Sequence, residues 1–258
     1  MTKRQSIFVS LVVAAVAAMP MSAIASEGEG LLEANTHLTD QASLQRGAQL
    51  FMNYCSGCHS LKYMRYGRIG DDLGLTEKQV TENLDFTGAK YLDHVNVAMN
   101  PVDAANWFGK TPPDLSLTAR SRGPNWIYTY LKSFYADESR PSGWNNTILP
   151  NASMPNVLWQ LQGVQHPVTE PKHGSEPCAK GEFNGQCIKE LVVDDAHKGQ
   201  LTPEQYDRDA RDISAFLQYA AEPAALEREA WGWKVVLFLA FFSLLAYLLK
   251  KEYWRDVH

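Results

Sequence analysis

The chain has 258 residues, 45% of them hydrophobic and 21% charged, with 24 Lys and Arg against 29 Asp and Glu. That is enough for one sizeable soluble domain plus membrane segments, and its acidic balance disfavours a nucleic-acid partner.

Residues 1–25 read as a cleaved secretory signal. Lys3 and Arg4 supply the positive start, Ile7 to Ala18 the apolar run, and Ala23-Ile24-Ala25 an A-x-A cleavage site. An N-terminal membrane anchor is the alternative, but the run is short and ends in Met19-Pro20. A mitochondrial presequence would be richer in Arg. The expected domain, residues 26–230, therefore faces a bacterial periplasm. Leaving aside two basic residues in the signal, and four basic and two acidic ones after Ala230, that domain carries a net charge of −9. Such a charge is either ordinary surface solvation or a field that steers a basic partner.

From Asp40 to Tyr54 the spacing predicts a helix. Asp40 stands at the cap, Leu44, Ala48 and Phe51 form one stripe, and Gly47 beside them lets another helix cross closely. Directly after it comes Cys55-Ser56-Gly57-Cys58-His59. This C-x-x-C-H pentapeptide reads as an attachment site for a c-type haem: two thiols on one turn form thioethers with the two vinyl groups, and the adjacent His59 ligates the iron. Two other readings compete with it. A dithiol redox motif would want a preceding strand, whereas the preceding segment is helical. A zinc site would want two more ligands at metal spacing, and the other cysteines, Cys178 and Cys187, lie far away in sequence.

Residues 60–113 are broken by glycines and prolines, with short helices predicted at 76–84 and 88–96. Residues 105–115 are expected to form an apolar, donor-poor haem-wall loop. Pro124 opens a predicted helix running to about Ala136, whose stripe of Trp126, Ile127, Tyr130, Leu131, Phe134 and Tyr135 is read as core. Arg120 and Arg122 precede it; each is either a solvated charge or a partner for a haem propionate. A loop spans Asp137 to Val157. Alternation around Val157–Leu161 and Ile188–Val193 predicts a small hairpin. Between those segments, Cys178 and Cys187 are expected to pair in an oxidising compartment. Thr202-Pro203-Glu204-Gln205 starts a helix with a capping box, and Pro223 ends it.

Trp231 to Leu249 is apolar apart from Lys234. At about 1.5 Å per residue it is roughly 28 Å long, close to a bilayer core. Residues 231–250 are thus an expected membrane anchor, with 251–258 as a cytoplasmic tail, because Lys250, Lys251 and Arg255 follow the span. The fold class expected overall is mainly α: a class I cytochrome c-like haem domain with long loops and a small hairpin, plus one C-terminal transmembrane helix.

The second axial position has several candidates. Met52 and Met64 lie too near the pentapeptide to reach the opposite face. Met99 is a contender, and His94, His166, His173 or His197 would make a bis-His site. Met154, in a polar loop followed by Pro155, is the best placed.

With the signal, the single early C-x-x-C-H, Pro112-Pro113-Asp114-Leu115-Ser116 followed by Arg120, Met154-Pro155, Ala220-Ala221-Glu222-Pro223 and the late anchor, the chain resembles the cytochrome c1 family, the haem subunits of quinol:cytochrome c oxidoreductases. The resemblance implies one covalent haem c held at Cys55 and Cys58, axial ligands His59 and Met154, a haem wall including Asn106, Pro112 and Pro113, and a propionate contact from Arg120. It also implies partners: a cytochrome b subunit, a Rieske iron–sulfur subunit that donates an electron, and a cytochrome c that accepts it, in a dimeric complex of the inner membrane. No substrate chemistry of the chain's own is expected. Rival readings are an anchored cytochrome of a terminal oxidase or nitric oxide reductase, and a catalytic or sensing haem protein with a labile distal face.

Overall fold

The computed structural model describes residues 30–172, 174 and 178–255. The signal segment and His173 fall outside the described residues.

Helix α1 (Gln41–Tyr54) starts where Asp40 accepts a hydrogen bond from the Ser43 amide. Its stripe of Leu44, Ala48 and Phe51 is buried against α8 (Pro203–Ala221). The crossing is at Gly47: a Cβ there would lie 2.0 Å from the Asp212 carbonyl oxygen and 2.8 Å from the Phe216 Cβ. Phe51 meets Phe216 with ring centroids 5.7 Å apart. Beside the crossing, the buried Asp212 carboxylate accepts from Ser43 Oγ at 2.5 Å and Arg46 Nε at 2.6 Å. Helix α8 begins with the capping box read from Thr202 and Gln205, and stops at Ala221 just before Pro223.

After the pentapeptide come β1 (Leu61–Arg65), α2 (Tyr66–Leu73) and α3 (Glu77–Asn83). The second short helix predicted here, at 88–96, does not form. Gly88 sits at φ +72°, the Lys90 amide bonds the Asp93 carboxylate, and β2 (His94–Val95) pairs antiparallel with β1. The carbonyls of Tyr91 and Asp93 accept from the Gly67 and Tyr66 amides at the start of α2, so this stretch serves its neighbours rather than its own helix. Helices α4 (Pro101–Phe108) and α5 (Thr118–Arg122) follow. Residues 105–108 of the expected loop are thus helical.

Helix α6 (Pro124–Lys132) is shorter than predicted, and Phe134–Ala136 forms β3 instead, paired with β4 (Trp144–Asn146). The cause is long-range. Asn146 Nδ2 donates to the Tyr130 carbonyl at 2.9 Å, and Gln165 Nε2 donates to those of Lys132 and Phe134 at 2.9 and 2.7 Å, so the last carbonyls are satisfied without another helical turn.

The hairpin is present but displaced. Residues 157–161 form a loop and the short helix α7 (Trp159–Gln162), and the strand starts only at β5 (Gly163–Glu170). Its partner β7 (Gln186–Lys198) contains the predicted 188–193 segment, with β6 (Glu182–Phe183) on its other side in the order β5-β7-β6. Gly163 at φ +95° makes the turn from helix to strand. Cys178 and Cys187 are joined by a disulfide with Cα atoms 5.2 Å apart.

Helix α9 (Ala225–Tyr253) carries the C-terminal apolar run, with a mean hydropathy of 2.0 in its most apolar window, none of which is buried within the chain. It is long and apolar enough to cross a bilayer.

The Gly47 contact sets a test. In an exposed helix a Gly→Ala change gains about 1 kcal/mol. Here the added methyl meets backbone, which no side-chain rotation relieves. Gly47→Ala is expected to destabilise the head by about 1–3 kcal/mol, read as a lower denaturation midpoint of the anchored protein in detergent. An unchanged or raised midpoint would show that the helices do not cross here.

Candidate haem site

Helix α1 delivers the chain directly into the pentapeptide. The Cys55 and Ser56 amides both bond back to the Phe51 carbonyl at 2.8 and 3.0 Å, ending the helix. A tight turn follows, in which the Cys58 and His59 amides bond the Cys55 carbonyl at 3.0 and 2.8 Å. Both thiols and the His59 ring line one cavity of about 340 Å³. Burial pushes the Cys55 thiol up to about 12, with Cys58 adding to it, so both sulfurs are held as neutral thiols.

His59 is buried, and its Nδ1 lies 2.7 Å from the Pro113 carbonyl oxygen. A carbonyl only accepts, so Nδ1 carries the proton and the Nε2 lone pair is left for a metal. Burial lowers the His59 pKa, against the raising effects of the Pro113 bond and the Asp114 charge, which keeps the ring neutral near pH 7.

The segment Pro112–Ser116 is fastened onto residues 60–63. Asp114 Oδ2 accepts from Ser60 Oγ at 2.7 Å and from the Lys62 amide at 2.8 Å, and its Oδ1 accepts from the Ser116 amide at 3.0 Å. The Leu115 amide bonds the Ser60 carbonyl at 2.9 Å, and the Tyr63 amide bonds Ser116 Oγ at 3.2 Å. This fastening sets the Pro113 carbonyl against His59.

Much of the rest of the wall is apolar, with Lys110, Arg122 and the hydroxyls of Thr118, Ser121 and Ser153 as its polar members. Pro112, Pro113 and Leu115 line it, as do Ile213 and Leu217 from α8, and Met154 and Pro155 from the long loop. Of the described candidates for the second axial position, only Met154 lines the cavity; Met99, His94, His166 and His197 do not. Trp126 and Tyr130, read from sequence as core, are cavity wall, stacked with centroids 4.9 Å apart. Burial pushes the Tyr130 hydroxyl up to about 12.

Two predicted residues are not brought to the site. Asn106 lies exposed on α4, and it is Phe108 from that helix that reaches the wall. Arg120 is exposed and outside the lining, whereas Arg122 lines the cavity with its guanidinium 5.1 Å above the Trp126 ring. The signal that finds Arg122 is its spacing: four residues before Trp126, across the Gly123 break.

The donor set fits a c-type haem. Two neutral thiols, an imidazole with a free Nε2, a thioether, apolar walls and one guanidinium for the anionic edge are the groups such a cofactor requires.

Asp114 gives the site an acid limit. Partial burial pushes its carboxyl up, but hydrogen bonds from Ser116, the Lys62 amide and Ser60 outweigh this and hold it below the ordinary value of 3.8. A lowered folded-state pKa contributes stability above the unfolded value and loses it as the pH falls through the folded one. Asp114→Asn is expected to weaken the site by about 1–2 kcal/mol at neutral pH and to remove part of its acid sensitivity below about pH 4. Haem absorbance followed against denaturant and pH checks this; superimposable curves for variant and wild type would refute it.

Comparison with known proteins agrees with this geometry. The family model described as the Cytochrome C1 family matches residues 32–257. A cytochrome c1 of Allochromatium vinosum is 53% identical over 93% of this chain and 95% of its own length. A protein of Nitrosomonas europaea named ammonia monooxygenase gamma subunit is 43% identical over 85% of each chain. A protein of Candida albicans named cytochrome b-c1 complex catalytic subunit, mitochondrial, is 27% identical over 84% of this chain and 73% of its own. On the residues that build its cavity and on these matches, the chain belongs to the cytochrome C1 family.

Proposed function

We propose that this chain is the membrane-anchored haem subunit of a cytochrome b-c1 complex, which takes one electron from a Rieske iron–sulfur subunit and passes it to a cytochrome c. One observation carries the reading: Cys55, Cys58, His59 and Met154 all line a single apolar cavity. When bound there, a haem c supplies a one-electron couple.

The chain's own residues supply the rest. Cys55 and Cys58 tether the cofactor, and His59 offers Nε2 with its orientation held by Pro113. Met154 would offer its sulfur from the long loop; a His/Met pair would raise the reduction potential and disfavour small-ligand binding. Arg122, rather than Arg120, lines the cavity together with Lys110, and these are the cations that would pair the propionates. Trp126, Tyr130, Ile213 and Leu217 keep water from the buried part of the cavity. Quinol chemistry belongs to a cytochrome b subunit, and the chain works inside a dimeric complex.

The same reading assigns residues 1–25 to a cleaved signal, 26–230 to a periplasmic head, 231–250 to the single-pass anchor in the bacterial inner membrane and 251–258 to a cytoplasmic tail. Supporting it are the exposed apolar α9 and the basic residues Lys250, Lys251 and Arg255 behind it.

The assignment is tested by purification from native membranes in mild detergent. Co-elution of haem b and a Rieske electron paramagnetic resonance signal is the expected result. Haem c alone, or haem c with a haem–copper or non-haem-iron partner, would overturn it. Met154→Leu tests the ligand: the midpoint potential is expected to fall by more than about 59 mV, a tenfold change in a one-electron equilibrium. An unchanged potential in a redox titration would remove Met154 from the iron.

A further inference from the structure

Three side chains that the haem site does not use meet on the β5–β7 sheet. His166 lies in β5 opposite Val192, and Asp194 and His197 lie further along β7. One ligand atom from each falls within 4.8 Å of the other two. His197 Nδ1 is 2.7 Å from Asp194 Oδ1, and His166 Nε2 is 3.9 Å from Asp194 Oδ2. The imidazole rings stand edge to face with centroids 5.2 Å apart. The His166 Nε2 is shielded from solvent and has no hydrogen-bond partner among the described residues, a state that a buried polar atom rarely keeps.

The backbone beneath this cluster is tightly held. A Cβ on Gly163 would lie 2.7 Å from the His197 carbonyl oxygen, and one on Gly199 would lie 2.2 Å from that of Leu161. The chain after β7 therefore packs backbone to backbone on α7 and the start of β5 beside the cluster, and the three ligand atoms are gathered before any ion arrives. The side chains as wholes are 45%, 54% and 50% exposed for His166, Asp194 and His197, so a small turn of the His166 ring opens its shielded Nε2 to an ion from solution. Nearby Asp195 is engaged by Lys198 at 2.6 Å, which leaves Asp194 as the carboxylate of the cluster.

We propose that His166, Asp194 and His197 form a binding site for a divalent transition-metal ion of the zinc class. Two imidazoles and one carboxylate are a borderline ligand set suited to Zn²⁺; Ca²⁺ and Mg²⁺ favour all-oxygen sets. Ligand atoms about 2.0–2.2 Å from one ion lie at most roughly 4.4 Å apart. Small rotations of three partly exposed side chains close the remaining gap. Three protein ligands leave a fourth position for solvent. The ion bridges β5 and β7 near one end of their pairing, whereas the Cys178–Cys187 disulfide lies by the other end, where Cys187 pairs with Glu170. The two cross-links together would hold the sheet at both ends.

The test uses the full-length protein with its haem, in detergent, stripped of loosely bound metal. Zn²⁺ alone is titrated in competition with a chromophoric chelator, for the wild type and for His166→Ala, Asp194→Asn and His197→Ala. The wild type is expected to bind one Zn²⁺ that each variant binds at least about 100-fold more weakly, since even outer-shell changes cost 10–100-fold. An unaltered haem spectrum in the variants reports an intact head. Wild-type binding weaker than that of ordinary surface histidines, or variants that bind like the wild type, would overturn the site. A second measurement needs no variant: Zn²⁺ is expected to protect His166 and His197 together from an imidazole-modifying reagent, read by peptide mass spectrometry. Equal modification with and without Zn²⁺ would also overturn it.

Discussion

The head of this protein depends on the close approach of two helices that are far apart in sequence. Helix α1 and helix α8 touch backbone to backbone at Gly47, because no Cβ stands between that residue and the Asp212 carbonyl. Two walls of the site are positioned from there. The end of α1 presents Cys55, Cys58 and His59, and the same crossing turns Ile213 and Leu217 of α8 into cavity wall. The polar side of the crossing is equally committed. Asp212 is buried with Ser43 and Arg46 on its oxygens, so a carboxylate that would be costly alone is satisfied in place.

A second constraint acts on the His59 side of the cavity. The Pro112–Ser116 segment looks in sequence like a rigid apolar strip, and its prolines do remove backbone donors from the cavity wall. Its polar members matter as much. Asp114 and Ser116 fasten the strip to residues 60–63, and the consequence is a carbonyl at Pro113 that selects one tautomer of His59. The same short motif thus supplies apolar cavity wall and orients the His59 ring that lines the cavity.

The Met154 part of the cavity is assembled from parts with little local signature. Met154 sits in a loop whose shape comes from side chains of asparagine: Asn145 Oδ1 accepts from the Asn151 amide at 2.8 Å, and Asn156 Oδ1 accepts from the Leu158 amide at 3.0 Å. Trp126 and Tyr130 line the same cavity, and α6 is pinned to α8 elsewhere. Tyr206 Oη donates to the Leu131 carbonyl at 2.8 Å, and the Tyr128–Lys132–Asp207–Arg211 cluster ties the outer faces of the two helices. With one face of α6 occupied by α8, the stacked pair is left for the cavity.

The sequence by itself determined the features that rest on local chemistry. These are the haem pentapeptide, the capped starts at Asp40 and Thr202, the helix-contact glycine at Gly47 and the apolar C-terminal run, each readable from neighbouring residues alone. The tertiary structure decided what depends on partners distant in the chain. Helix α6 stops at Lys132 because Asn146 and Gln165 take its last carbonyls, and 88–96 is not a helix because its carbonyls cap α2. Likewise Arg122 rather than Arg120 lines the cavity, and Asn106 is exposed on α4 and outside the lining, which sequence spacing alone does not decide. Periodicity reports that a face is apolar; only the assembled molecule shows whether that face meets another helix or a cofactor.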